Sequence, residues 1–275
     1  MIALRACLTF DTIVIHKDEN RFPDGTLALK DIDPRYNEIL WLYEDDSELF
    51  TLMCLREHFC YSPTLILPYV PNARMDRVEN ENEVFTLKTF CNAINNMNFR
   101  RVIVYDTHSN VTSALLNNVE VMNPKCFIEK ALDSIPEKDV LLFYPDEGAM
   151  KRYSKLFQRE FAFGVKHRDW KTGQIKSLSI MTQNPIEGKT VLIVDDICSR
   201  GGTFLHSANL LRESGAKNIY LYVTHCENTI LKGTMIHIDS LIQRIFTTDS
   251  ICKCEHEKLK CIYSFKESFL KGHLF

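Results

Sequence analysis

Apolar runs of strand length recur along the chain, each followed by a stretch of helical periodicity, and this alternation restricts the fold more than any other feature. The runs are TIVIHK, EILWLYE, TLILPYV, RRVIVYD, DVLLFYP, TVLIVDD and NIYLYVTH, with amphipathic segments such as SELFTLMCLREHF and VFTLKTFCNAINNM between them. Strands joined by helical crossovers make βαβ units, and those units make α/β domains with parallel sheets. Three runs end in carboxylates, at Asp106, at Asp146 and at Asp195 with Asp196. Ligands gather at the carboxyl ends of such strands near a switch in strand order, so the three acidic ends point to one composite, metal-assisted site. The segment NPKCFIEKALDSIPEK has the pattern of a packed helical connector. A boundary within it gives two similar α/β domains, residues 1–129 and 130–275. TTDSI and SFKESFLKGHLF are expected to form a final strand and a helix.

The most specific local pattern is TVLIVDDICSRGGTF, residues 190–204. An apolar strand delivers Asp195 and Asp196, whose carboxylates can accept hydrogen bonds from vicinal ribose hydroxyls. After Ser199 and Arg200, a turn at Gly201, Gly202 and Thr203 opens a helix, where backbone N–H groups favour a phosphate. The alternative is an ordinary βα turn with two solvated aspartates; the ordered sequence of features favours the phosphorylated sugar. A second pattern, LILPYVPNARMDRV at residues 65–78, breaks an apolar strand at two prolines and then supplies Arg74, Asp76 and Arg77. The planar guanidinium fork bonds phosphate oxygens in pairs, so two arginines at such a break suit a polyphosphate. The alternative, and the lesser one even for the segment taken alone, is a solvated loop with an internal ion pair.

The formal charge of -3 over 275 residues gives no reason to expect nucleic acid, and any anion must be held by local basic groups. Ten cysteines are scattered through apolar segments rather than framing a loop-rich module, so reduced thiols and a cytoplasmic location are expected. Cys252, Cys254 and His256 lack the spacing of a zinc site and no second pair faces them in the sequence, so no structural metal is expected. No run of eighteen uncharged apolar residues occurs, which leaves a membrane span unsupported.

Residues 190–204 resemble the ribose-phosphate loop of the type I phosphoribosyltransferase and ribose-phosphate pyrophosphokinase superfamily. Residues 68–77 resemble the PYxRQDR stretch of the pyrophosphokinases, with Met75 in place of glutamine. Further resemblances follow in order. NRFPDGT is similar to an adenine-binding FxDGE loop at Phe22, Asp24 and Gly25, and YDTHSN to a DLH motif at Asp106 and His108. YPDEGAMKR is similar to SPDxGGxKR at Asp146, Gly148, Lys151 and Arg152, and FGVKHRD to a catalytic KxR loop at Lys166 and Arg168. Thr224 and Thr248 match later landmarks.

The resemblance implies two Rossmann-like domains of the type I phosphoribosyltransferase kind. It also implies a diphosphokinase that moves the β,γ-diphosphoryl group of ATP onto the anomeric hydroxyl of a ribose 5-phosphate, releasing AMP. Phe22, Asp24, Arg74, Asp76, Arg77 and His108 are then ATP contacts, Lys166 and Arg168 catalytic groups, and Asp195, Asp196 and residues 199–203 the acceptor site. Mg²⁺ is implied, with Asp146 and His108 as ligands; a hard cation prefers the carboxylate to the imidazole. A homo-oligomer, dimer or hexamer, is also implied. The family's loop carries a third aspartate and a threonine where this chain has Ser199 and Arg200. The exchange makes the loop more electropositive, which suits an acceptor with more phosphate, such as ADP-ribose on a route to NAD, or reflects drift in a ribose 5-phosphate enzyme. Thr26 replaces a glutamate of the adenine loop. A noncatalytic, synthetase-associated regulatory protein and a phosphoribosyltransferase are the readings of other classes. The KxR pair argues against the first and the ATP-side motifs against the second.

Overall fold

A computed structural model describes residues 1–9, 11–16, 19–168, 175–237 and 241–273. It divides into two compact units, residues 1–123 with 264–275, and residues 124–263. Each is an α/β layer around its own apolar core.

The first unit holds β1 (Ile2–Arg5), β2 (Thr12–Ile15), β3 (Glu38–Trp41), α1 (Ser47–His58), β4 (Thr64–Leu67), α2 (Thr86–Asn96), β5 (Arg101–Tyr105), α3 (Asn110–Leu115) and β6 (Val119–Met122). Its sheet runs β2-β1-β3-β4-β5-β6. β1 lies antiparallel to both neighbours and the remaining pairs are parallel. The carboxyl ends of β2 and of β3 to β6 therefore share one edge. β4 is buried at every position, as a strand covered by helices on both faces must be, which is why TLIL shows no polar alternation. α2 buries Leu87, Phe90, Cys91 and Ile94, the i, i+3, i+4, i+7 stripe of a helix laid on a sheet.

The second unit begins with α4 (Lys125–Asp133) and β7 (Val140–Tyr144), then α5 (Glu147–Tyr153), β8 (Phe161–Arg168), β9 (Ile175–Thr182), β10 (Thr190–Cys198), α6 (Gly202–Glu213), β11 (Asn218–Cys226), β12 (Ile242–Thr248) and β13 (Leu259–Tyr263). The order β13-β12-β11-β10-β7-β8-β9 is parallel except at the β9 edge. From β7 the chain moves to β8 on one side, and from β10 to β11 on the other, so the topological switch lies between β7 and β10. Helix α7 (Phe265–Leu270) returns to the first unit and buries Phe265 and Phe269 there.

The units thus part at 123/124, ahead of the expected 129/130, because the whole of α4 packs with the second unit, and α7 belongs with the first. The chain's end contributes two strands, β12 and β13, before its helix, where one was expected. Among the described residues no helix is long and apolar enough to cross a membrane.

Candidate functional site

In the second unit the acidic strand ends fall beside the switch. β10 carries Asp195 and Asp196 near its carboxyl end, and Asp196 is buried. Next to it β7 leads into α5, whose N-cap Asp146 accepts from the Ala149 amide at 3.0 Å. From the far end of α5, Arg152 Nη2 donates to Asp195 Oδ1 at 2.9 Å and to Asp196 Oδ1 at 2.8 Å. The Asp196 amide also donates to Asp195 Oδ1 at 3.0 Å. Burial, and then the Asp196 charge, holds the Asp195 carboxyl above the usual carboxylate range, against the opposing pull of Arg152. Asp195 and Asp196 are thus an anionic pair held by one guanidinium.

The turn after β10 is built by close approach. Gly201 sits at φ +81°, a left-handed conformation that costs glycine little, and its Leu205 partner closes the first bond of α6 onto the Gly201 carbonyl at 3.0 Å. Met235 packs directly on Gly201, and Gly233 lies so near the Arg200 carbonyl that a Cβ there would overlap it. Arg200, Gly202 and Thr203 are exposed at the turn and Ser199 is half-buried. At the neighbouring strand ends, Thr248 Oγ1 donates to the Thr224 carbonyl at 2.7 Å, and His225 Nδ1 meets Ser250 Oγ at 2.9 Å. Lys166 and Arg168 lie at the end of β8, whose backbone pairs with β9 at Leu178 and Ile175. Their side chains lie outside the described residues.

In the first unit the remaining candidates share the carboxyl edge of the sheet or the loop that leaves it. Arg74, Asp76 and Arg77 follow β4 in a turn closed by the Met75 amide on the Asn72 carbonyl at 2.9 Å. Beside it, Asp106 directly follows β5 and is buried at φ +44°, with His108 half-buried two residues on. A backbone held in this sparsely populated region is strain of a kind that gathers at functional sites. Phe22 and Asp24 lie on the long loop after β2. Asp24 Oδ1 accepts from the Thr26 amide at 2.9 Å, which holds its carboxyl below the usual range, and Lys30 Nζ stands 5.6 Å over the half-exposed Phe22 ring. Thr26 therefore closes the turn that presents Phe22.

Among the described residues no three of His, Cys, Asp or Glu are grouped to hold a metal ion by themselves. Mg²⁺ needs no such cage, because it takes one or two carboxylates and completes its shell with phosphate oxygens and water. The oxygen donors Asp146, Asp195 and Asp196 at adjacent strand ends fit it, and His108, a nitrogen donor, fits it less well. A groove of about 550 Å³ beside Phe161 and Met181 lies at the amino end of β8, away from the acidic edge, and has no part in this site.

Two features were missed from the sequence. Arg152 appeared only as a motif residue; nothing local indicates that it bridges two aspartates. The cysteines were expected to lack a second pair, but the fold supplies one: Cys198 and Cys226 pair across β10 and β11, and Cys252 and Cys254 pack against the same core.

Residues 127–249 match the phosphoribosyl transferase domain family. The chain is similar to proteins named ribose-phosphate pyrophosphokinase. It is 28% identical to that of Thermoplasma volcanium over 91% of this chain and 92% of that one. It is 26% identical to that of Thermococcus kodakarensis over 86% of each, and 30% identical to that of Sulfurisphaera tokodaii over 68% of this chain and 65% of that one. The crystal structure of phosphoribosylpyrophosphate synthetase from Mycobacterium smegmatis shares the fold, with a TM-score of 0.68 at 19% identity over 99% of this chain and 89% of that one.

Proposed function

The chain belongs to the ribose-phosphate pyrophosphokinase family, and on that premise we propose that it transfers the β,γ-diphosphoryl group of ATP to the anomeric hydroxyl of a ribose 5-phosphate-type acceptor. The observation that carries this reading is the Asp195 and Asp196 pair, held by Arg152 beside a glycine turn that opens α6. Ionised, the two carboxylates accept from the vicinal hydroxyls of a ribose. The amides of the turn and the N-terminus of α6 take its phosphate.

In the transfer, the anomeric oxygen bonds to the β-phosphorus as the bond from that phosphorus to the α,β-bridging oxygen breaks, AMP departs, and the hydroxyl proton is lost to solvent. The protein's work is positioning and charge stabilisation. Arg74 and Arg77 bind the ATP phosphates, with Phe22 and Asp24 toward the adenosine. Lys166 and Arg168 stabilise charge on the transferred group; removing one such contact costs about 3 kcal/mol of barrier. Asp146 would hold Mg²⁺, which would supply neutralisation of phosphate charge.

Incubation with ATP, Mg²⁺ and ribose 5-phosphate should release AMP and yield the diphosphorylated sugar by mass. Lys166→Ala should lower kcat by a factor of about 100 or more while the acceptor dissociation constant changes little. No AMP from the wild-type chain with any acceptor would reject the reading in favour of a regulatory protein.

The exposed Arg200 in the turn after β10 favours a second acceptor, ADP-ribose, whose 5-side diphosphate presents a second phosphate group for that guanidinium to meet. Arg200→Thr should then impair ADP-ribose more than ribose 5-phosphate. Equal losses would remove this reading and leave the first intact.

A further inference from the structure

Four of the ten cysteines meet in the second unit. Cys198 and Cys226 are the last residues of β10 and β11, partners in register and fully buried. Cys252 and Cys254 lie half-buried on the segment after β12. That segment is fixed against the end of β11, because the amides of Lys253 and Cys254 both donate to Asn228 Oδ1, at 2.8 and 3.1 Å. The sulfurs form a string: Cys198 and Cys252 both face Cys226, and Cys252 Sγ lies 3.8 Å from Cys254 Sγ. All four are free thiols, and they do not converge as a metal cage.

We propose that this string is a redox modification site, at which a low-molecular-weight disulfide such as oxidised glutathione enters at Cys254 and leaves a stable Cys226–Cys252 disulfide. The Cys254 thiolate, its proton lost to solvent, attacks one sulfur of the external disulfide and expels a first thiolate. Cys252 then attacks the Cys254 sulfur and expels the second. The Cys252–Cys254 bridge spans a single residue and makes a small, strained ring, which favours onward exchange. Cys226 attacks the Cys252 sulfur, and Cys254 leaves as a thiolate and regains a proton. In sum, two protein thiols are oxidised and one external disulfide is reduced to two thiols.

The order of entry follows from the environments. Cys254 is pushed up to about 11 by burial and then by Cys252. Cys252 is raised further, first by its hydrogen bond to Cys226, and Cys226 first by its bond to Cys198. Cys254 ends the string and is half-exposed where Cys226 is buried, so an external disulfide meets it before Cys226.

The test treats the reduced chain with oxidised glutathione, blocks the remaining thiols with N-ethylmaleimide and maps the peptides by mass. The expected product is a crosslink joining the Cys226 and Cys252 peptides, about 2 Da lighter than the sum of the two, that dithiothreitol reverses. It should form several-fold more slowly in Cys254→Ser and at an unchanged rate in Cys60→Ser, a change at an exposed thiol outside the string. Closing the loop between residues 226 and 252 should also raise the unfolding midpoint of the oxidised chain. A bridge confined to Cys252 and Cys254, or glutathione adducts without an internal disulfide, would overturn the proposal. So would one zinc ion retained per chain that shields all four thiols from N-ethylmaleimide. The mapping needs no substitution at buried Cys226, so it does not depend on such a variant folding.

Discussion

A single nitrogen of Arg152 donates to both Asp195 and Asp196, and the guanidinium itself is only about a quarter exposed, at 26%. Two adjacent carboxylates in a mostly buried site repel, and Arg152 is the group that opposes this. Burial alone would lower the Arg152 pKa, yet it is raised by Tyr153, Asp196 and Asp195 around it. Arg152→Met keeps the bulk and removes the charge, leaving the pair uncompensated at a cost of about 3–5 kcal/mol at neutral pH. The sign of its pH dependence follows from Asp195, whose folded-state pKa is already raised. A carboxyl raised on folding favours the folded state below its unfolded value and loses that advantage as pH rises toward the folded one. Without Arg152 the Asp195 pKa climbs further, so the variant should lose more stability at pH 8 than at pH 5 in denaturant unfolding. Its acceptor KM should also rise at a higher pH on the acidic limb than in the wild type. A pH-independent loss would show that Arg152 acts through packing alone.

The turn between β10 and α6 is shaped by the segment after β11, because Gly233 abuts the Arg200 carbonyl and Met235 covers Gly201. Gly233→Ala cannot be absorbed by a flexible side chain, since the obstacle is backbone. It should displace the turn and raise the acceptor KM by about tenfold or more, a loss of about 1.4 kcal/mol of binding, with the KM for ATP little changed. Steady-state kinetics against each substrate would check it. How much could be read from sequence follows the range of the interactions. The βα turn at 190–204 was legible because strand, carboxylates, glycines and helix start are contiguous. The seven apolar runs all became strands: six are interior strands with parallel neighbours, which carry continuous apolar residues, and TIVIHK became the edge strand β2, which its run of β-branched residues disclosed. β6, with its half-exposed VEVM, and β13, with exposed positions in LKCIY, gave no such signal because they are edge strands. Arg152 meets its carboxylates across 43 and 44 residues, and Cys226 lies 26 positions from Cys252, so neither group could be seen before the strands were ordered.

At the scale of the whole chain, the first unit is discontinuous: its last helix is supplied from beyond the second unit. α7 is short, and a six-residue helix is too short to persist by propensity, so its place rests on tertiary contacts. Phe265 is fully buried with its ring 4.7 Å from Tyr105 in an edge-on pair, and Phe269 is fully buried beneath Arg5, whose guanidinium lies 4.6 Å from the ring. Arg5 Nη1 donates to the Phe269 carbonyl at 2.9 Å while the same guanidinium pairs with Glu38 on β3. One buried cation therefore ties β1, β3 and α7 together. Phe265→Ala should destabilise the first unit by about 3–5 kcal/mol, because a fully buried ring is replaced by a cavity the sheet cannot close. Hydrogen exchange would locate the effect: amides of β1 and β5 should lose protection while those of β10 and β11, whose core is a separate cluster, keep theirs. Unchanged protection in β1 and β5 would mean that α7 covers the unit without stabilising it.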